Sequence, residues 1–342
     1  MRNIYRETFD QIHASEQLRE EVANMTKQKR TASRHRISKV GLIAAVLLVV
    51  LGGTTLAAVG MPQTLRDWFA LEWKERTDKD ISLEQLAVID HLTQTVGVSD
   101  TRNGTTVTLD SVTVGNSSMW MMLKVSGTYS ENEALRYHFD KIDITLTPDP
   151  DQQTNTPGSY GFDFPYARVM EDGSLLILTR YQIDLAGLSS LTDVSREAVL
   201  VLSGVVCNNI DRSGDKDVVL AEGDWTLRFT LEPQTGDVVA FPDPLQVRAR
   251  NVETQEMKSV TFRDVKLTAT DITYIQSQED QMYEPQPALV LEDGSVIETA
   301  GGSARFRDEG YTEWSSVKYW PVPVDLDQVK ALRMGDTEIP LP

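Results

Sequence analysis

Four histidines, one cysteine and a large excess of carboxylates are the side chains through which this 342-residue chain could do chemistry. His13, His35, His91 and His138 are scattered, and no HExxH, zinc-type Cys/His spacing, GxSxG or phosphate-cradling glycine loop accompanies them. Ser315-Ser-Val-Lys318 matches the SxxK string of penicillin-binding enzymes. That chemistry needs serine and lysine on one face at a helix start, whereas Tyr311–Val324 reads as a strand, in which i and i+3 point to opposite faces. Asp211-Arg-Ser-Gly-Asp215-Lys-Asp217 could offer oxygens to calcium but lacks the alternating D-x-D-x-D-G pattern, and it reads as a solvated loop. Paired carboxylates are too numerous for any to be singled out as a glycosidase dyad. Cys207 is alone, which precludes an intrachain disulfide, and its place after the apolar run Val199–Val206 reads as a buried structural thiol. The expectation is a non-enzymatic protein with no cofactor and no metal.

The charge distribution organises the chain. The formal net charge is −18, yet residues 1–39 carry nine Lys/Arg against five Asp/Glu, a net of +4. The remainder carries 24 basic and 46 acidic residues, a net of −22 that repels nucleic acid and excludes a DNA- or RNA-binding body. Between the two lies Val40–Met61, twenty-two positions without a charge. At about 1.5 Å per residue, such a helix spans the roughly 30 Å hydrocarbon core of a bilayer. Six basic and no acidic residues in Lys27–Lys39 place the N-terminal tail in the cytoplasm and the rest outside. Trp68, Phe69 and Trp73 follow, as aromatics suited to the headgroup layer. A cleaved signal peptide is the rival reading, with Ala58-Val59-Gly60 as the cleavage site, but a 39-residue basic region is far too long for one. An extracytoplasmic body without disulfides fits a Gram-positive cell surface better than a eukaryotic secretory pathway.

Two amphipathic helices are legible in the tail. Tyr5, Phe9 and Ile12 share one helical face, Ser15 is a plausible N-cap, and Leu18, Val22 and Met25 repeat the spacing. Two helices of about ten residues cannot close a core, so their apolar stripes need cover. The cover is a cytosolic protein groove or, alternatively, the inner leaflet assisted by the basic run.

Residues 62–100 read as a helical connector, with a capping-box spacing at Ser82…Gln85. After residue 100 the period changes to two. Val107–Val114, a turn at Gly115-Asn116-Ser117 and Met119–Val125 predict a hairpin, and further strands are predicted at His138–Leu146, Ser174–Ile183, Ala198–Cys207 and Trp225–Leu231. Val107–Val114 is echoed by Val260–Leu267, and Glu171-Asp-Gly-Ser174 by Glu292-Asp-Gly-Ser295. The two elements lie 64 residues apart in the first copy and 32 in the second, which points to an insertion around 131–163. The expectation is a mainly β protein with tandem Ig-like β-sandwiches at 101–233 and 245–342, joined by the Pro-rich stretch Glu232–Pro244, behind one transmembrane helix and a short helical tail. Two hairpins of one larger sandwich are the alternative.

The layout resembles that of Gram-positive membrane proteins encoded beside extracytoplasmic-function sigma factors and regarded as anti-sigma factors. The likeness is carried by Tyr5…Phe9-Asp-Gln-Ile-His13-Ala-Ser-Glu-Gln-Leu18, the basic run, the single helix, and Asn103-Gly-Thr-Thr-Val-Thr-Leu-Asp-Ser-Val112 followed by Leu123-Lys-Val-Ser-Gly127. His13 and His35 lack cysteine partners, so the tail departs from the zinc-binding anti-sigma class. The resemblance implies that the tail, through Tyr5, Phe9, Ile12, Leu18, Val22 and Met25, occludes a sigma factor, while the external part senses an envelope signal or ligand. An adhesion or envelope-binding protein whose tail only sets topology is the alternative.

Overall fold

The computed structural model describes residues 62–131, 135–147, 160–183, 191, 194–209, 217–234, 236–306, 310 and 312–342. The tail and the apolar run Val40–Met61 lie outside the described residues. Among the described residues, no helix is long and apolar enough to cross a membrane.

The protein is mainly β. Two helices come first: α1 (Gln63–Thr77) and α2 (Leu83–His91). α1 buries Leu65, Trp68, Phe69 and Trp73 along one face and ends at Asp78, which adopts a left-handed conformation (φ 57°). This corrects the headgroup assignment of its aromatics: Trp68, Phe69 and Trp73 are only 4%, 0% and 4% exposed because they fill a protein core. Ser82 caps α2 by accepting from the Gln85 N–H at 3.0 Å. The Gln85 side chain does not complete the capping box. It is fully buried, donates to the Pro323 carbonyl and accepts from the Asp325 N–H at 2.8 Å, which ties α2 to a distant loop. The helical connector stops at His91, since residues 93–100 already belong to the first strand.

Strands β1 (Thr93–Arg102), β2 (Thr105–Val114), β3 (Ser118–Val125), β5 (Tyr160–Val169) and β6 (Leu175–Ile183) form a five-stranded sheet in the order β1-β2-β3-β6-β5. A second sheet, β4 (Leu135–Leu146), β7 (Arg196–Asn209) and β8 (Val218–Leu231), packs against it around Val107, Met121, Phe139, Tyr181 and Trp225. The Cys207 thiol is buried beside this core, and desolvation raises its pKa.

The C-terminal half has two more sheets. One contains β10 (Leu245–Asn251), β11 (Met257–Thr268), β12 (Asp271–Ser277), β13 (Tyr283–Glu284), β16 (Gly301–Phe306) and β17 (Glu313–Tyr319) in the order β13-β10-β11-β12-β17-β16, with β9 (Val238–Ala240) beside β11. The other is β15-β14-β18-β19, from Val296–Glu298, Ala288–Leu291, Val329–Met334 and Thr337–Pro340.

The packing crosses the 233–245 boundary. Trp120, Met122, Leu176 and Leu178, on the other face of the five-stranded sheet, share one core with α1, α2, Phe262, Tyr274, Trp320 and Leu332. The described residues belong to one compact unit. β3 is therefore buried on both faces, which explains its continuous apolar run Met119–Leu123. Full burial of each large apolar side chain stabilises by about 1.5–3 kcal/mol, so a layer used twice contributes to both halves.

The internal echo is visible in three dimensions. β2–β3 and β11–β12 are antiparallel hairpins closing at Val114↔Met119 and Leu267↔Ile272, and each register slips one to three residues past the echoed Leu109 and Phe262. The two Asp-Gly turns also match. Gly173 and Gly294 have φ of 81° and 84°, and the Asp172 and Asp293 carboxylates accept from the Ser174 and Ser295 N–H at 2.9 and 2.8 Å. Each aspartate also meets a lysine, Lys124 at 2.9 Å and Lys79 at 2.6 Å, which holds both carboxyls below the usual carboxylate range.

Candidate ligand-binding cleft

The residues expected to dock a partner, Tyr5, Phe9, Ile12, Leu18, Val22 and Met25, lie outside the described residues, as do His13, His35 and most of the Asp211–Asp217 loop. Ser315 and Lys318 lie on strand β17, not at a helix start. Lys318 reaches Glu284 at 3.1 Å instead. His138 lies 3.5 Å from Asp217 at the start of β8. Among the described residues, no group of three or more His, Cys, Asp or Glu side chains is placed to hold a metal ion.

A polar cleft of about 670 Å³ lies in the C-terminal half. β10 supplies Arg248 and Arg250. Its alternating pattern turns Val247 and Ala249 into the core and the two arginines away from it. β13 supplies Glu284, directly opposite Arg250 in the ladder. The Lys318–Glu284 ion pair joins β13 to β17, four strands further along the sheet order, so the sheet curls back on itself at this point. β15 and β18 supply Glu298 and Arg333. Both are in register with the small Ala288 of the strand between them, and over it the two long side chains meet at 3.5 Å.

Part of the lining is backbone packed against β10. Gly335, with φ 58°, donates its N–H to the Pro285 carbonyl, and a Cβ at this position would collide with the Arg248 carbonyl oxygen. Gln286 adjoins it in a positive-φ conformation (44°) that non-glycine residues adopt only when neighbours impose it. Met257, Pro287, Thr299 and Asp336 complete the lining.

Chemically, the lining offers cation and carboxylate hydrogen bonding. Its four cations, Arg248, Arg250, Lys318 and Arg333, face three carboxylates, Glu284, Glu298 and Asp336, an arrangement that can grip a charged ligand. None of these residues is among those expected from the sequence to form a site, although Arg248-Ala-Arg250, two cations on alternate positions in so acidic a body, is a readable signal.

No protein-family model matches the sequence, and no curated protein matches it. A solved structure described as the crystal structure of the conserved domain protein from Bacillus anthracis is similar at 11% identity, over 71% of this chain and 77% of that one, with a TM-score of 0.39. Likeness at that level carries neither fold detail nor function across.

Proposed function

We propose that this chain is a single-pass membrane regulator of the anti-sigma type. Its tail (1–39) would bind an extracytoplasmic-function sigma factor through Tyr5, Phe9, Ile12, Leu18, Val22 and Met25. Val40–Met61 would span the bilayer, and the β body would bind an envelope ligand outside. The observation that carries this reading is the charge asymmetry: a basic tail, twenty-two uncharged positions, then a body of net charge −22. In this reading the body is two sandwich-type halves, 101–233 and 245–342, which share a buried layer and report ligand binding as one piece. The tail's apolar stripes are too short to be stable helices alone and would order on the surface they dock to.

The test is co-purification. Residues 1–39 fused to a soluble carrier are expected to retain a sigma factor from the lysate of the source cells, identified by mass spectrometry. Retention of no sigma factor, with the fusion soluble and intact, would leave the envelope-binding alternative with an inert tail.

A further inference from the structure

We infer that the cleft beside β10 is an oxyanion-binding site, taking a ligand that bears phosphate or carboxylate groups, with Arg248 and Arg250 as its grip. This goes beyond the regulatory proposal and does not depend on it.

The first support is local charge. The chain beyond residue 39 carries 46 acidic and 24 basic residues, yet four of those cations converge here with three carboxylates, Glu284, Glu298 and Asp336. A stretch of ordinary solvated surface on this body would be acidic.

The second support is how those charges are spent. Lys318 is matched by Glu284 at 3.1 Å and Arg333 by Glu298 at 3.5 Å. Among the described residues, no carboxylate lies within ion-pair distance of Arg248 or Arg250, and Arg250 only donates to Gln255 Oε1 at 3.4 Å. Arg248 and Arg250 leave alternate positions of one strand on the same side, their backbones about 7 Å apart. Each presents a planar fork matched to the paired oxygens of a phosphate or carboxylate.

The third support is shape. The positive-φ backbones of Gly335 and Gln286 shape the cleft beside Arg248, and the volume suits a small polar ligand or one unit of a charged polymer.

The full chain, purified in detergent at low salt, would be titrated calorimetrically with inorganic pyrophosphate and, separately, with citrate. Saturable one-to-one binding of at least one probe is expected. Binding should weaken about tenfold or more in the Arg248→Gln/Arg250→Gln double variant and fall with added salt. Preference for pyrophosphate assigns the ligand to phosphate chemistry, and preference for citrate to carboxylates. Both arginines are exposed, so the double variant should keep its melting curve. Arg250→Gln alone provides a second, milder readout should it not. Arg228→Gln, an exposed arginine on β8, should bind as the parent does. Failure of both probes to bind, unchanged binding in the arginine variants, or equal loss in Arg228→Gln would each overturn the assignment.

Discussion

Ser117 Oγ donates to Asp271 Oδ2 at 2.6 Å, and this hydrogen bond joins the turns of two echoed hairpins 154 residues apart in the chain. The Ser117 N–H reaches the same oxygen at 3.1 Å, and Thr268 Oγ1 donates to Oδ1 at 2.9 Å. Gly115 allows this approach, since a Cβ there would lie 2.3 Å from Thr270 Oγ1. A carboxylate with no exposed surface is thus satisfied from both halves.

Removing the hydroxyl while leaving the turn in place isolates that link. Ser117→Ala is expected to cost about 1–3 kcal/mol, because the buried Asp271 oxygen loses its shortest donor. Urea unfolding followed by tryptophan fluorescence measures it, and a change within a few tenths of a kcal/mol would show the link to be incidental.

Burial holds the Asp271 carboxyl above its ordinary value, against the opposing hydrogen bonds from Ser117, Thr268 and Thr270. The folded state therefore binds the proton more tightly than the unfolded chain. Stability linked to that proton is fully present below the unfolded value of about 3.9 and is lost as pH rises through the higher folded value. Compared with Asp271→Asn, the parent should lose ground steadily from about pH 4 upward. Paired urea midpoints across that range give the comparison, with other carboxylates cancelling. A difference that is flat, or that runs the other way, contradicts the assignment.

The shared core makes the halves thermodynamically dependent. Trp120→Ala should destabilise by about 3–5 kcal/mol and lower the unfolding of both halves in a single transition. Fragment 245–342 on its own leaves Phe262, Tyr274 and Trp320 without the cover of α1 and β3, and it should melt without a cooperative transition. A sharp melt of that fragment would show that its own sheets suffice.

In the tail, Phe9→Asp or Leu18→Asp places a charge on an apolar stripe whose burial would then cost several kcal/mol. If the tail sequesters a sigma factor, either change should raise transcription from that factor's promoters with protein level in the membrane unchanged. Gln17→Asp, off the stripe, should be nearly silent. A reporter that stays flat for both stripe variants removes the regulatory proposal.

Local periodicity was enough to read much of this chain. The alternation in Val107–Val114, the Gly115-Asn116-Ser117 turn and the two Asp-Gly turns are short-range features, and each appears where the residues place it. Strands β4, β6, β7 and β8 likewise appear at the predicted stretches, extended by a few residues at some ends. β5 went unread because its residues fall at the edge of the expected insertion and Pro165 interrupts its pattern. Trp68, Phe69 and Trp73 follow an apolar run, and an aromatic stripe on a helix looks the same whether lipid or protein covers it. Gln85 has the spacing of a capping partner, but a long polar side chain goes to whichever buried groups remain unsatisfied, here at Pro323 and Asp325. The cleft lay furthest from reach. Arg248, Glu284, Glu298, Lys318 and Arg333 belong to five strands, and their meeting depends on strand order and sheet curvature. Those are set by long-range pairing and core packing, interactions that leave no periodic trace along the chain.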